Sequence, residues 1–233
     1  MADRRLSGED QFVTTVVRLG DWARRNGRAL VIGGVALVIV ALGVRYYLSY
    51  QRQVRETASA ELRAVRVQLE TGTPTEAVER LRNFLVQFGD TEYALEARVL
   101  LAYSLLLSNR PQEAIEAARE AAMKLGEDPV ANRAAFLLAS AYEEVGDTAN
   151  AISVYEEIGA KVEARVQKTR ALEAAARLQA SSGNHEAAAR LYDRLAQMTP
   201  ETAPARTFYE MRAAEMRAEE LRVGPPTGSE ETG

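Results

Sequence analysis

Residues 144–151, Glu144-Val145-Gly146-Asp147-Thr148-Ala149-Asn150-Ala151, have counterparts 37 residues away in both directions. Upstream lie Leu107-Ser108-Asn109-Arg110-Pro111-Gln112-Glu113-Ala114 and, one period earlier, Glu70-Thr71-Gly72-Thr73-Pro74-Thr75-Glu76-Ala77. Downstream lies Ser181-Ser182-Gly183-Asn184-His185-Glu186-Ala187-Ala188. Gly72, Asn109, Gly146 and Gly183 keep one spacing, and Ala77, Ala114, Ala151 and Ala188 keep the same one. A fixed period within roughly 20–50 residues signals a solenoid of stacked supersecondary units. Solenoids present an extended surface to other proteins, so the sequence points to an interaction scaffold before any chemistry is sought.

Each copy has the same local logic. A helix ends at a residue that tolerates left-handed geometry, three times Gly and once Asn. A second helix then starts within a residue or two. Thr73 is placed to cap it in the first copy, with Pro74 at the first helical position and Glu76 completing a capping box. Pro111, Asp147 and Asn184 supply the start signals of the other copies. Ala77, Leu81 and Phe84 then follow at i, i+4 and i+7, as do Ala114, Ala118 and Ala121, then Ala151, Tyr155 and Ile158, then Ala188, Tyr192 and Leu195. That spacing is the buried stripe of an amphipathic helix.

These residues resemble the tetratricopeptide repeat, a helical hairpin with small residues in its first helix, Gly at the turn, Ala early in the second helix, an aromatic four residues on and Pro at the end. The fourth copy fits best, with Ala176, Gly183, Ala188, Tyr192, Leu195 and Pro200, and the third follows with Ala139, Tyr142, Gly146, Ala151 and Tyr155. The first two are more degenerate: Val65 stands where a small residue is expected. The resemblance implies an all-α helical-hairpin solenoid over residues 49–222, closed by a capping helix from Ala203 to Arg222. The remaining residues, 223–233, are rich in Gly, Pro and charge and are expected to be disordered.

The second feature lies near the N-terminus. Ala29 to Val44 carries no charge in sixteen residues. Snorkelling of Arg45 extends the apolar stretch to Leu48, so 29–48 is long enough to span a bilayer. Trp22 before it and Tyr46, Tyr47 and Tyr50 at its end suit the two interfaces. A secretory signal peptide is the alternative, with Ala41-Leu42-Gly43 as a cleavage site. Residues 1–28 argue for a retained anchor: they are long, and Phe12, Val13, Val16, Val17 and Leu19 predict an amphipathic helix on the membrane. Arg24, Arg25 and Arg28 precede the span, and Arg45, Arg52 and Arg55 follow it, so the positive-inside count is a tie. The short, Gly-broken approach favours a cytoplasmic N-terminus and extracytoplasmic repeats. Ala29 and Gly33 form a small-xxx-small pair, a weak signal for helix association and for a homo-oligomer.

Composition narrows the function classes. Residues 1–50 carry seven Lys or Arg against four Asp or Glu, and the rest of the chain 22 against 29. An acidic repeat region lacks the basic stripe that nucleic-acid binding needs. The chain has no Cys and one His, which excludes a Cys nucleophile and an ordinary structural zinc site. No phosphate-cradling motif occurs. Glu143-Glu144 and Glu156-Glu157 are adjacent on predicted helices and therefore point about 100° apart, which reads as solvated faces rather than paired carboxylates. His185 reads as an exposed turn residue. No catalytic residue, cofactor or metal is expected.

In tetratricopeptide arrays the first helix of each repeat lines the concave groove. Carried onto this chain, the resemblance assigns that groove Arg66 in copy one, Tyr103 and Leu106 in copy two, Arg133 and Phe136 in copy three, and Arg170, Glu173 and Arg177 in copy four. Aromatics flanked by Arg suit interface hot spots, and Arg can take a carboxylate bidentately. Inter-repeat packing or a solvated face is an equal alternative for each. The family's Lys and Asn carboxylate clamp is not reproduced.

The whole layout is similar to the ancillary subunit of the bacterial SecYEG translocon, a single-pass inner-membrane protein with a periplasmic tetratricopeptide-like domain. The specific part of that likeness is residues 11–50: the amphipathic stretch, Asn26-Gly27-Arg28-Ala29-Leu30, and a Gly-containing span ending in Arg45-Tyr46-Tyr47. It implies an adaptor that passes secreted clients from the translocon to periplasmic chaperones. The alternatives are a scaffold for envelope assembly, in outer-membrane or cell-division machinery, and a non-catalytic subunit seated on an enzyme.

Overall fold

In the computed structural model, which describes residues 26–223, every element is helical. Among the described residues the α-helices are α1 (Gly27–Thr71), α2 (Pro74–Phe88), α3 (Ala94–Leu107), α4 (Pro111–Ala121), α5 (Pro129–Glu144), α6 (Thr148–Lys161), α7 (Arg165–Ser181), α8 (His185–Met198) and α9 (Pro204–Val223). A single 3-10 turn, Ala122–Lys124, joins α4 to α5. The chain divides after Glu56 into two compact units. The amphipathic stretch expected at residues 11–19, Trp22 and the tail from 224 onward lie outside the described residues.

In the first unit, α1 holds one stretch long and apolar enough to cross a membrane, and none of it is buried. Every side chain from Val31 to Tyr50 is exposed, including ten large aliphatics from Val31 to Leu48. No Pro interrupts α1, which runs as one helix through Gly33, Gly34 and Gly43. The span expected at 29–48 falls inside this helix.

The second unit is the repeat array. Each α-helix from α3 to α8 packs on its sequence neighbours, and α3 also packs on α5 across one repeat. All twelve positions of the i, i+4, i+7 stripes, from Ala77 to Leu195, are buried. Val65, Ala102, Ala139 and Ala176 stand one period apart on the first helices and are fully buried. Val65 thus fills a site that alanine occupies in the other copies. Ala58, Leu62 and Val65 of α1 join the main core, which continues to α7. A second cluster carries it through α8 to Tyr209, Ala213 and Met216 of α9, so α9 covers the apolar end of the stack. Its bounds agree with the expected cap to within a residue at each end.

Three of the four hairpin turns share one geometry. Asn109, Gly146 and Gly183 have φ of 56°, 78° and 79°. In each, the next residue's N–H reaches back five residues at 2.9 Å: Arg110 to Leu105, Asp147 to Tyr142 and Asn184 to Gln179. That is a Schellman closure, which needs the left-handed residue to turn the chain. Gly72 departs from the expectation: its φ is not positive. It remains glycine for a different reason, because a Cβ there would lie 2.8 Å from the Gln68 carbonyl oxygen.

Two start signals also differ, at α8 and at α2: Asn184 is the N-cap of α8 but makes no side-chain capping bond, its Nδ2 donating instead to Gln179 Oε1 at 3.0 Å. Thr73 is the N-cap of α2 but its side chain makes no capping bond. Glu76 accepts instead from Gln68 Nε2 at 2.9 Å, so the capping box does not form and Pro74 alone marks the helix start. The side-chain caps sit further along: Asp147 Oδ1 accepts from Asn150 N at 3.2 Å, and Asp128 Oδ1 from Val130 N at 2.7 Å. Asp128 belongs to a link between repeats in which Gly126, at φ 94°, donates its N–H to the buried Asn132 Oδ1 at 2.8 Å.

Candidate functional site

The first helices α3 and α5, one period apart, pack side by side, and side chains of α7 reach α5 through Arg170 on Phe136 and Arg177 on Glu143. Residues 37 apart therefore meet across the groove. Glu96 and Arg133 are such a pair: Arg133 Nη2 donates to both Glu96 oxygens, at 3.0 and 2.9 Å. Arg66 Nη2 lies 3.0 Å from Glu96 Oε1. Two expected groove cations thus converge on one half-buried carboxylate and tie three successive repeats together. Arg177 Nη2 lies 2.7 Å from Glu143 Oε2, and Tyr155 donates its hydroxyl to Glu143 Oε1 at 2.7 Å. Glu143 is therefore half-buried and doubly bonded, not the solvated residue the sequence suggested; its neighbour Glu144 is exposed. His185 also departs from expectation: it is the half-buried first residue of α8, with Nδ1 enclosed, rather than an exposed turn residue.

The remaining candidates separate. Tyr103, Arg133, Phe136 and Arg170 line one concave pocket of 420 Å³, together with Val99, Leu100, Leu137, Ser140, Val166 and Gln167. Leu106 does not line it and packs half-buried against the main core. Glu173 accepts the Tyr209 hydroxyl and so ties α7 to the capping helix. Tyr103 is 45% exposed and Val166 81% exposed, which leaves the pocket an open apolar mouth. The Arg170 guanidinium sits 5.2 Å from the Phe136 ring centroid, in cation–π range, and Phe136 is 6.3 Å from the Tyr155 ring.

Two tyrosines on this network resist ionisation. Burial, reinforced by the hydrogen bond to Glu143, pushes Tyr155 up to about 12. Burial and the bond to Glu173 push Tyr209 up to about 12 as well. Both remain neutral donors over the physiological range and hold their carboxylates in place.

Glu96, Glu143 and Val166 were missed by the sequence reading. A signal for Glu96 was present: it stands one period before Arg133 and two before Arg170, so opposite charges recur at repeat spacing. Val166 carried none, because it precedes the periodic part of α7.

A membrane-length apolar helix followed by a helical-hairpin solenoid with a concave, aromatic and Arg-lined face defines an interaction scaffold. The chain belongs to the family of tetratricopeptide repeat-like domains, whose model matches residues 21–152, more than half of the sequence. No curated protein matches it. Among solved structures it is similar to an array of nearly identical TPR-like repeats from Podosopora anserina, with 18% identity, a TM-score of 0.55, and 71% of this chain and 87% of that one covered. A tetratricopeptide repeat protein from Parabacteroides merdae gives 16% identity and a TM-score of 0.58, covering 72% and 64% respectively. At such identities the likeness is one of fold. Repeat domains of this kind mediate protein–protein interactions and are typically not enzymes.

Proposed function

We propose that this protein is a membrane-anchored adaptor whose repeats lie outside the cytoplasm of a bacterial cell. In this reading it is an ancillary translocon component that passes secreted proteins to periplasmic chaperones. Residues 29–48 are the anchor, 1–28 the cytoplasmic approach, 49–222 the interaction domain and 223–233 a tail. The observation that carries the reading is the extent of the family match. It begins at residue 21, before the apolar stretch, and runs into the third repeat. A match that takes in both the apolar stretch and the first repeats supports reading that stretch as a retained anchor. Helix α1 agrees, since it carries both the apolar stretch and the first helix of the array.

Energetics support membrane residence. Ten large aliphatic side chains on α1 are exposed. Burying each gives roughly 1.5–3 kcal/mol, so leaving all ten in water forfeits about 15–30 kcal/mol. That exceeds the whole stability of a typical domain, about 5–15 kcal/mol. An apolar solvent for this helix removes the penalty.

The test is crosslinking in cells followed by a pull-down in mild detergent, with the full-length protein against a version whose residues 1–50 are replaced by an unrelated anchor. Translocon subunits recovered only with the native anchor support the reading. If they never appear, and one other partner follows the repeats under either anchor, the translocon role is wrong and the protein is a scaffold for other envelope machinery.

A further inference from the structure

Resting on the scaffold reading, we propose that the pocket between α3, α5 and α7 binds an internal segment of a partner protein in which a large apolar side chain adjoins an acidic residue. The apolar side chain sits on Tyr103, Phe136 and Val166, and the carboxylate goes to Arg170, not to Arg133. The distinction between the two arginines comes from their existing partners. Arg133 already donates to both oxygens of Glu96, which also takes Arg66. Glu96 thus acts as a built-in occupant of that side of the groove. Arg170 has no ion pair among the described residues; its recorded contact is the face of Phe136. The acidic residue one turn along α7, Glu173, is engaged by Tyr209. One guanidinium therefore remains available, seated over an aromatic ring and without a carboxylate partner.

The rest of the pocket suits an apolar side chain. Val99, Leu100 and Leu137 form its base, and Val166 and Tyr103 are exposed at its mouth. Its volume, 420 Å³, lies toward the lower end of the range for ligand sites, about 300–1,000 Å³. That admits one or two side chains, not a folded element. The carboxylate comes from a side chain within the segment rather than from a chain end, and the free-carboxylate peptides below test that choice.

The experiment uses full-length protein in nanodiscs on an array of acetylated, amidated dodecapeptides of Gly-Ser background with a central Phe-Glu, Leu-Glu, Phe-Gln or Ala-Glu. A matched series ends in a free carboxylate. Phe-Glu and Leu-Glu should retain the protein at least about tenfold better than Phe-Gln or Ala-Glu, the equivalent of one charge-assisted hydrogen bond. Arg170→Gln should abolish the Glu-over-Gln preference, while Arg133→Gln should preserve it. Val166→Glu, at an exposed position that does not bear on folding, should block all retention by placing a carboxylate beside Arg170. The proposal is overturned if Arg170→Gln keeps the preference, if Phe and Ala peptides bind alike, or if only the free-carboxylate series binds. The crosslinking pull-down, repeated with Val166→Glu, separates the two readings. Partners still recovered, with no peptide signal from the native protein, sink the pocket assignment and leave the scaffold standing; no partners from the native protein sink both.

Discussion

Replacing Gly159 by alanine tests the closeness of α6 and α7, on which the stacking of the last two repeats depends. Gly159 is buried, and a Cβ there would stand 2.5 Å from Leu172 Cδ2 and 2.8 Å from its Cγ. Leu172 is itself fully buried and belongs to the cluster that α9 covers. Because Cγ as well as Cδ2 is in the way, the side chain must move as a whole within a packed core. Overpacking of this kind costs about 1–3 kcal/mol. The gain in helix propensity from Gly to Ala offsets at most about 1 kcal/mol. The expected net effect of Gly159→Ala is a loss of about 1–2 kcal/mol, or roughly 3–6 °C in Tm for an array of this size. The assay is urea and thermal denaturation of the full-length protein in detergent, followed by circular dichroism. Leu172→Ala alone should cost about 2–5 kcal/mol. In that background Gly159→Ala should become neutral or mildly stabilising, a coupling of about 1–3 kcal/mol. Gly146→Ala supplies the contrast: nothing lies within 4 Å of its Cβ position, but φ is 78°. It should lose about 1–2 kcal/mol from backbone strain alone, with no rescue by any neighbour. If Gly159→Ala stabilises the native protein, and Leu172→Ala leaves its effect unchanged, the close α6–α7 approach is wrong.

Further outcomes follow from particular groups. Tyr155 and Tyr209 have native values of about 12, against an unfolded value near 10. The native state therefore holds protons that the unfolded chain releases, so their stabilisation is complete below about pH 10 and is lost as pH rises toward 12. Tyrosinate absorbance should show two late-titrating phenols, one of which disappears in Tyr155→Phe. Asp128→Ala removes the cap on α5 and should cost about 0.5–2 kcal/mol by the same denaturation assay. The full-length protein should remain in membranes through a carbonate wash. Leu37→Arg, which places a charge of about 2.5–3.5 kcal/mol cost near mid-span, should shift part of it to the soluble fraction; equal retention would argue that this helix does not span.

The repeat architecture was legible because its signals are local and occur several times. One Gly, one Ala stripe or one Pro would have meant little, yet the shared 37-residue spacing located every hairpin and all twelve buried stripe positions. Local signals failed where a neighbour competes. Thr73 and Glu76 have the composition of a capping box, but Gln68 takes the Glu76 carboxylate. Gly72 has the position of a left-handed turn residue but is glycine because of the Gln68 carbonyl. Glu143 looked solvated because a helical wheel cannot show Tyr155 and Arg177 arriving from two other helices.

By itself, then, the amino-acid sequence determined the helical class, the register of the stack and the presence of an apolar segment of membrane length. Each of these depends on periodicity along one chain, which needs no knowledge of what lies opposite. The tertiary structure alone decided which groove cations are occupied. Arg66, Arg133, Arg170 and Arg177 look equivalent in sequence, but Arg66 and Arg133 share the Glu96 carboxylate, Arg177 pairs with Glu143, and Arg170 rests on an aromatic face. The physical reason is that an ion pair forms between groups about 3 Å apart in space, and the spacing of successive first helices sets that distance.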